Sequence, residues 1–517
     1  MNLSSKLSEV ASRYQDKPAI IFENNPYTFD DVDRSVEHYA AVLERMGVKV
    51  GDRVAIQLSK RMEFIFLELA VLSVGGIVIP LNPDYKAQEI EYFLTDSGSA
   101  LYFTDYDCFS RVQTELQKLD KLKVVLMDSA QGAGALSLFD ELRTGLPPGY
   151  TRPYPTGGDD AAVICYTSGT TGRSKGAMIT HRNLISNMMS LHKIWQWSDR
   201  DVLLHVLPLF HVHGLFVALH GALNAGATMI MHQKFDPERT WEVLEKAKCT
   251  IFMGVPTMYQ RLSTQWDLID RPPDLQSMRV FISGSAPLLE TQFHRFEQQT
   301  GFRILERYGM TETGMIASNT LDPRGRKPMS VGFPLPGVDI RVVSHSRDDV
   351  TPGEVGEVWI RGENVFKGYW QMPEKTRESF HEGWFMSGDL GYQDPDDNAR
   401  LYLVGRAKEL IITGGYNVYP KEVEDVLTSH EAIKEAAVIG LPDEDFGEKV
   451  TAIVVPSEGQ APPPPESVIL YCKSRLAGYK CPKTVLFVDD LPRNAMGKLQ
   501  KNVLATRFAD DPRSKAG

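Results

Sequence analysis

No GxxxxGK[ST] run occurs anywhere in the 517 residues, which excludes the ordinary P-loop way of holding a nucleotide. Cysteine is scarce: Cys108, Cys165, Cys249, Cys472 and Cys481 are odd in number and far apart, with no CxxC pair and no Cys/His ligand spacing. That excludes a disulfide scaffold and a structural zinc site and fits a reducing cytoplasm. A basic excess is also missing. With a net charge of −11 there is no broad positive field for nucleic acid or an anionic membrane, so an anionic ligand must be captured by local cations. Long apolar runs are lacking too. The most apolar stretch, residues 64–81, is interrupted by Glu68, Ser73 and Gly75-Gly76, and reads as a buried helix followed by a strand, not a membrane span. The first residues have no signal-peptide core; Leu3, Leu7, Val10 and Tyr14 recur at helical intervals instead. No internal repeat is present.

What the chain does contain is an alternation of short apolar runs with amphipathic stretches. Residues 54–58, 77–80, 124–127, 229–231 and 280–282 read as strands, and residues 180–195 read as a helix with Thr180 as its N-cap. This pattern predicts parallel α/β layers. Past about residue 325 glycine and proline become frequent, and residues 339–343 and 356–361 read as strands of a smaller β-rich subdomain. A boundary is expected near Leu403-Val404-Gly405-Arg406, followed by a compact α+β unit. The expected division is residues 1–404, a connection at 405–408, and residues 409–517. Within the last unit, the prolines at 462–465 read as a stiff surface loop.

The most informative segment is Tyr166-Thr-Ser-Gly-Thr-Thr-Gly-Arg-Ser-Lys-Gly176, directly after the apolar run 161–165. Glycines let backbone N–H groups turn toward an anion, hydroxyls donate to it, and Lys or Arg neutralises it, so a phosphate-handling loop leaving a buried strand is predicted. A solvated loop of similar composition is the plain alternative, but the length and the preceding strand argue against it. The segment resembles the signature loop of the adenylate-forming enzymes, a superfamily of acyl-CoA synthetases, luciferases and peptide-synthetase adenylation domains. That resemblance implies that Thr167, Ser168, Gly169, Thr170, Thr171, Gly172 and Lys175 surround the ATP phosphates. Ser174 stands where the family usually has proline.

Further segments resemble the same family in the same order, along nearly the whole chain. Residues 304–313 are similar to its adenine and metal segment, which implies Tyr308 against adenine, Thr311 on the α-phosphate and Glu312 on Mg²⁺. Seen alone, YGMTE reads as the start of a helix. Gly388-Asp389 and Arg406 resemble the ribose-binding pair, with Ser387 in place of the usual threonine. Residues 491–499 resemble the segment with the adenylation lysine, so Lys498 is expected to bridge the substrate carboxylate and the α-phosphate. Gly414 and Gly415 match the loop that lines the thiol tunnel for coenzyme A, and in plain structural terms they form a hairpin turn. Lys408 matches the hinge about which a mobile C-terminal domain turns between two half-reactions. The implied cofactors are ATP, Mg²⁺ and coenzyme A.

Arg307 immediately precedes Tyr308, where relatives handling aryl or fatty acids commonly have a small or uncharged residue. A buried guanidinium needs a partner, and a second carboxylate on the substrate would supply one. With His211 and Ser285 in their segments, the pattern resembles that of malonyl-CoA synthetases, which implies malonate or methylmalonate as the acid. Met329, where such relatives often carry glycine, departs from the pattern. The competing reading pairs Arg307 with Glu306 or another protein carboxylate as wall support. A fatty or aryl acyl-CoA synthetase, an enzyme loading a carrier protein and a nucleotide-binding relative without activity stay open; no carrier-like Asp-Ser-Leu follows residue 500, and the lysine is present. Both a monomer and a homo-oligomer are open.

Overall fold

The computed structural model describes residues 1–127, 135–167, 174–443, 445–457, 459, 461–494, 497–509 and 511. Among them the strands form three sheets. In the eight-stranded sheet, Arg53–Gln57, Ile77–Pro80, Leu101–Thr104 and Lys123–Leu126 run parallel. Ala161–Thr167 joins beside Ile77–Pro80, and the chain returns antiparallel as Lys175–Thr180. The predicted phosphate loop therefore connects two paired strands, with its ends held by the ladder.

The second sheet begins as a parallel layer of Pro18–Phe22, Thr228–Met231, Val202–His205, Ile251–Gly254, Val280–Ser283 and Leu305–Met310. After Met310 the chain reverses into Gly314–Ser318. Ser330–Pro334, Arg400–Arg406, Trp384–Asp394, Gly356–Gly362 and Val338–Val343 extend the same sheet antiparallel, so the β-rich part is hydrogen-bonded to the parallel layer. YGMTE is accordingly the end of a strand and a turn, not the start of a helix. The last parallel strand thus ends at the junction between the two kinds of sheet, the sort of place where open α/β sheets bind ligands.

Local sequence explains the helices that hold these layers. Thr180 caps His181–Trp195 in a reciprocal box with Asn183, and Leu184, Met188, Leu191 and Trp195 are buried on its inner face. Asn2 caps Leu3–Ala11, which buries Leu3, Leu7 and Val10. The apolar stretch that was expected to be helix then strand is Met62–Ser73 followed by Ile77–Pro80. Its Glu68 is fully buried, with an oxygen 3.2 Å from His220 Nε2. Among the described residues no helix is long and apolar enough to cross a membrane. All five cysteines are buried and free.

Strand Arg400–Arg406 runs through the expected boundary at 404, and the turn Ala407–Glu409 follows it. Beyond lies a five-stranded sheet of Ile411–Thr413, Tyr416–Val418, Gly447–Pro456, Ile433–Asp443 and Thr484–Phe487, packed with Pro420–Thr428, Pro465–Lys473 and Lys501–Phe508. Two apolar clusters, one around Val423, Leu427 and Val450 and one around Ile439, Leu491 and Phe508, are built only from residues after 410. A separate core is what an independent domain requires.

Candidate active site

The hairpin Leu305–Met310/Gly314–Ser318 is the centre of the site. Strand alternation sends neighbouring side chains to opposite faces, so Arg307 and Glu306 diverge. Arg307 is 3% exposed and packs on Gly284: a Cβ at Gly284 would sit 2.4 Å from the guanidinium carbon, so any larger residue there would displace the arginine. Among the described residues Nε and Nη2 of Arg307 have no hydrogen-bond partner, and no ion pair joins Arg307 to a carboxylate. Glu306 instead accepts from Leu288 N at 3.1 Å. Burial lowers the Arg307 pKa to about 10 and pushes Glu306 up to about 7. A pairing of Arg307 with Glu306 as wall support is thus absent from the geometry.

Strand Val202–His205 leads through residues 206–212 into a π-helix, His213–Leu219. The entry is tight enough that a Cβ at Gly214 would lie 1.9 Å from the Pro208 carbonyl oxygen. His213 N donates to His211 Nδ1 at 3.3 Å, and Ser285 Oγ lies 3.3 Å from His213 Nδ1. Ser285 holds this place with a φ of 73°, a left-handed conformation that non-glycine residues adopt at a cost. Burial, then Arg307, then Lys498 bring the His211 pKa down to about 4. His211 is therefore neutral at pH 7 and within electrostatic range of a cation from each part of the chain.

Tyr308 donates to Asp389 Oδ2 at 2.5 Å, while Arg406 Nε lies 2.6 Å from Asp389 Oδ1. Burial first, and then the Asp389 charge, raises the Tyr308 pKa. Ser387 Oγ accepts from Asp389 N at 3.0 Å and donates to the Val358 carbonyl at 2.6 Å, so the serine hydroxyl makes both bonds at the position where the family has threonine. Glu312, 7% exposed, accepts from the Tyr369 hydroxyl at 3.0 Å, and Lys175 Nζ sits 4.3 Å from the centre of the Tyr369 ring. Thr311 is half-buried in the hairpin turn beside Val212 and Phe216.

From the C-terminal part, the loop of Lys498 reaches the first domain: a Cβ at Gly497 would lie 3.2 Å from Thr257 Oγ1. The Lys498 pKa is lowered, by the surrounding protein first and by Arg406 next. Lys408, exposed on the turn Ala407–Glu409, has its pKa lowered by the surrounding protein first and then by Arg406. Residues Ser168, Gly169, Thr170, Thr171 and Gly172 lie outside the described residues; Thr167 and Lys175 end the two strands that flank them. Gly414 and Gly415, with φ of 55° and 82°, form the tip of the hairpin Ile411–Thr413/Tyr416–Val418. That tip is exposed.

Residues 7–370 match the family described as AMP-binding enzyme, and residues 422–498 match the AMP-binding enzyme C-terminal domain. This chain belongs to the AMP-binding enzyme family. It is 41% identical to ATP-bound MatB from Rhodopseudomonas palustris, with a TM-score of 0.91 over 99% of both chains. It is 34% identical to a long-chain-fatty-acid–CoA ligase of Bacillus subtilis, over 97% of this chain and 94% of that one. It is 35% identical to the mitochondrial malonate–CoA ligase of Mus musculus, over 98% of this chain and 91% of that one.

In this AMP-binding enzyme several polar partners of the motif residues are far from them in sequence. Tyr369 holds Glu312, Glu357 accepts from Gly388 N at 3.0 Å, and Asp96 Oδ2 accepts from Tyr166 at 2.6 Å. Tyr92 donates to the Ser174 carbonyl at 2.7 Å, beside the predicted phosphate loop. No local pattern announces these residues; only the order of strands makes them neighbours.

Histidines held neutral inside the protein make the fold acid-sensitive. His211 and His181 are both held near a pKa of about 4, mainly by burial. The unfolded chain takes up these protons near pH 6.5 while the fold resists until about pH 4, so stability is complete above the first value and is lost as pH falls toward the second. Urea melts at pH 7, 5.5 and 4.5 are expected to show a loss of about 1.4 kcal/mol per pH unit for each such histidine. In the His181→Asn enzyme the slope is expected to be shallower by one proton's worth, and an unchanged slope would remove His181 from this account.

Proposed function

We propose that this AMP-binding enzyme is an ATP-dependent acid:CoA ligase that works through an acyl-adenylate, with malonate or methylmalonate as its acid. The observation that carries the choice of acid is the buried, unpartnered Arg307 on Gly284, within electrostatic range of His211. A dicarboxylate would give that guanidinium the charged partner the protein withholds. His211, neutral at pH 7, and Ser285 add hydrogen-bonding groups without a competing negative charge. The names of two relatives, the murine malonate–CoA ligase and the Bacillus fatty-acid ligase, point to different acids, and Arg307 favours the first.

In the first half-reaction a carboxylate oxygen of the acid attacks the α-phosphorus of ATP; the bond to the bridging oxygen breaks and pyrophosphate leaves. Lys498 would sit between the two anions and Thr311 would donate to the α-phosphate, so that they can meet in line. Ser168, Gly169, Thr170, Thr171, Gly172, Thr167 and Lys175 are proposed to hold the departing phosphates, and Tyr308, Asp389 and Arg406 the nucleoside. Glu312 fits Mg²⁺: it is one carboxylate, held by Tyr369, and among the described residues no cluster of three metal-ligating side chains competes with it. When bound, the ion would neutralise phosphate charge. In the second half-reaction the thiolate of coenzyme A attacks the acyl carbonyl and AMP leaves. For this, Gly414 and Gly415 would replace Lys498 at the site by rotation about Lys408 of the unit comprising residues 409–517. Five reduced, buried cysteines suit a reducing compartment such as the cytoplasm.

The test is pyrophosphate release with ATP, Mg²⁺ and coenzyme A against malonate, methylmalonate, succinate, acetate, octanoate and benzoate, with each thioester confirmed by mass. Malonate or methylmalonate is expected to lead acetate by about 100-fold in kcat/KM, the worth of a charged bidentate contact. Octanoate or benzoate in the lead would overturn the dicarboxylate reading and leave the ligase chemistry standing.

A further inference from the structure

Outside the groups assigned so far, a buried polar chain runs from the surface side of the second sheet to the histidine loop. His205 ends its strand with 1% exposure. Its Nδ1 lies 2.8 Å from Lys60 Nζ, and its Nε2 lies 2.9 Å from the Gly214 carbonyl oxygen. Lys60 also donates to the carbonyl of His205 at 2.9 Å. A carbonyl oxygen only accepts, so the Nε2 proton goes to Gly214, and in the neutral ring Nδ1 is then the acceptor that faces Lys60. Burial, reinforced by the Lys60 charge, keeps the ring neutral.

Gly214 is the second residue of the π-helix His213–Leu219. A π-helix is rare and is found mostly as a single turn, frequently at a functional site, so an outside contact made to one is informative. The His205–Gly214 bond is such a contact, and it closes the intervening chain, with His211 inside it, into a loop pinned at both ends. That loop meets Ser285 through His213, and its His211 Nδ1 accepts from His213 N.

We propose that Lys60 and His205 are positioning residues for the acid pocket: together they lock the entry to the π-helix so that His213 stays against Ser285 and His211 stays held by His213. Neither touches the nucleotide side of the site in this assignment, which rests on the pocket reading given above. Their loss should therefore weaken the acid and spare ATP.

The test compares His205→Leu and Lys60→Met with the conservative His205→Gln, whose carboxamide can still donate to Gly214 and accept from Lys60. In the full-length enzyme, His205→Leu is expected to raise the malonate KM by about 10-fold or more through displacement of the pocket wall, with the ATP KM within about twofold. Lys60→Met keeps the ring and loses only its orienting partner, so it should show the same split at smaller size, about threefold. His205→Gln should recover most of the malonate KM. ATP affinity by calorimetry and a thermal melt are read on every variant. Equal rises in both KM values, or a fall in melting temperature with no acid-specific change, would overturn the proposal, as would an unchanged malonate KM. If His205→Leu does not fold, Lys60→Met and His205→Gln decide the matter. If the wild-type enzyme prefers another acid, the same split is read on that acid: the dicarboxylate reading then fails, and positioning stands or falls by the acid-against-ATP comparison.

Discussion

Lys498→Ala is expected to slow adenylation by about 100- to 1000-fold, the usual size of loss when one preorganised charge is removed from a polar transition state. Transfer from preformed malonyl-AMP to coenzyme A should change by less than about threefold, because a residue that acts only in the first transition state leaves the second unaffected. The structural basis is the position of its loop. Gly497 abuts Thr257 of the first domain, and the Lys498 charge is felt by His211 beside Arg307. In this arrangement the glycine hairpin that would serve the thiol step is at the exposed end of its own sheet. The two half-reactions are measured separately, by pyrophosphate release and by thioester formed from synthetic malonyl-AMP. Comparable losses in both would show that Lys498 serves the fold or the nucleotide in general, and the division of labour between the two ends of the C-terminal domain would be abandoned.

The second large effect concerns the choice of acid. Arg307→Ala is expected to lower kcat/KM for malonate by about 1000-fold, the loss expected when one member of a buried charge pair is removed. Butyrate, which matches malonate in reach but has no second carboxylate, should change by less than about 10-fold, the scale of a packing change. Since no ion pair joins Arg307 to a carboxylate among the described residues, its removal breaks no direct protein ion pair; Glu306 and His211 lose only the field of its charge, which acts on every acid alike. The Gly284 surface on which the guanidinium lies would be left open, and a modest loss for every acid is included in that margin. Equal losses for malonate and butyrate would mean that Arg307 supports the wall. Arg307→Lys is the useful companion: it keeps the charge without the planar fork, and a malonate activity between those of wild type and alanine is expected.

Much of the candidate site could be proposed from the sequence because the segments expected to form it are contiguous and their residue types state their chemistry. Thr167 with its glycine-rich neighbours, Tyr308-Gly-Met-Thr-Glu312, Ser387-Gly-Asp389 and the loop of Lys498 are each short enough to be recognised without knowing the fold. The N-cap at Thr180 and the helix after Phe64 were readable for the same reason, since caps and helical periodicity are local. YGMTE, which seen alone would start a helix, instead ends the Leu305–Met310 strand, because that strand pairs with Val280–Ser283 and Gly314–Ser318 and strand pairing overrides local preference. Met329 was recognised as a departure; the structure adds that its φ is 64°, a conformation in which glycine would be unstrained.

The sequence alone determined the α/β class, the presence of a separate C-terminal unit, the absence of a broad basic field, and the residue types available for phosphate, metal and carboxylate. These depend on composition and on spacing along the chain. Only the tertiary structure decided that Arg307 turns away from Glu306 and lies unpaired on Gly284, that Tyr308 and Arg406 share the two oxygens of Asp389, and that Lys60 orients His205 against the π-helix. The physical reason is that a buried polar group takes the partner that strand order and domain packing place within about 3 Å, and residues far apart in sequence carry no local sign that they will meet there.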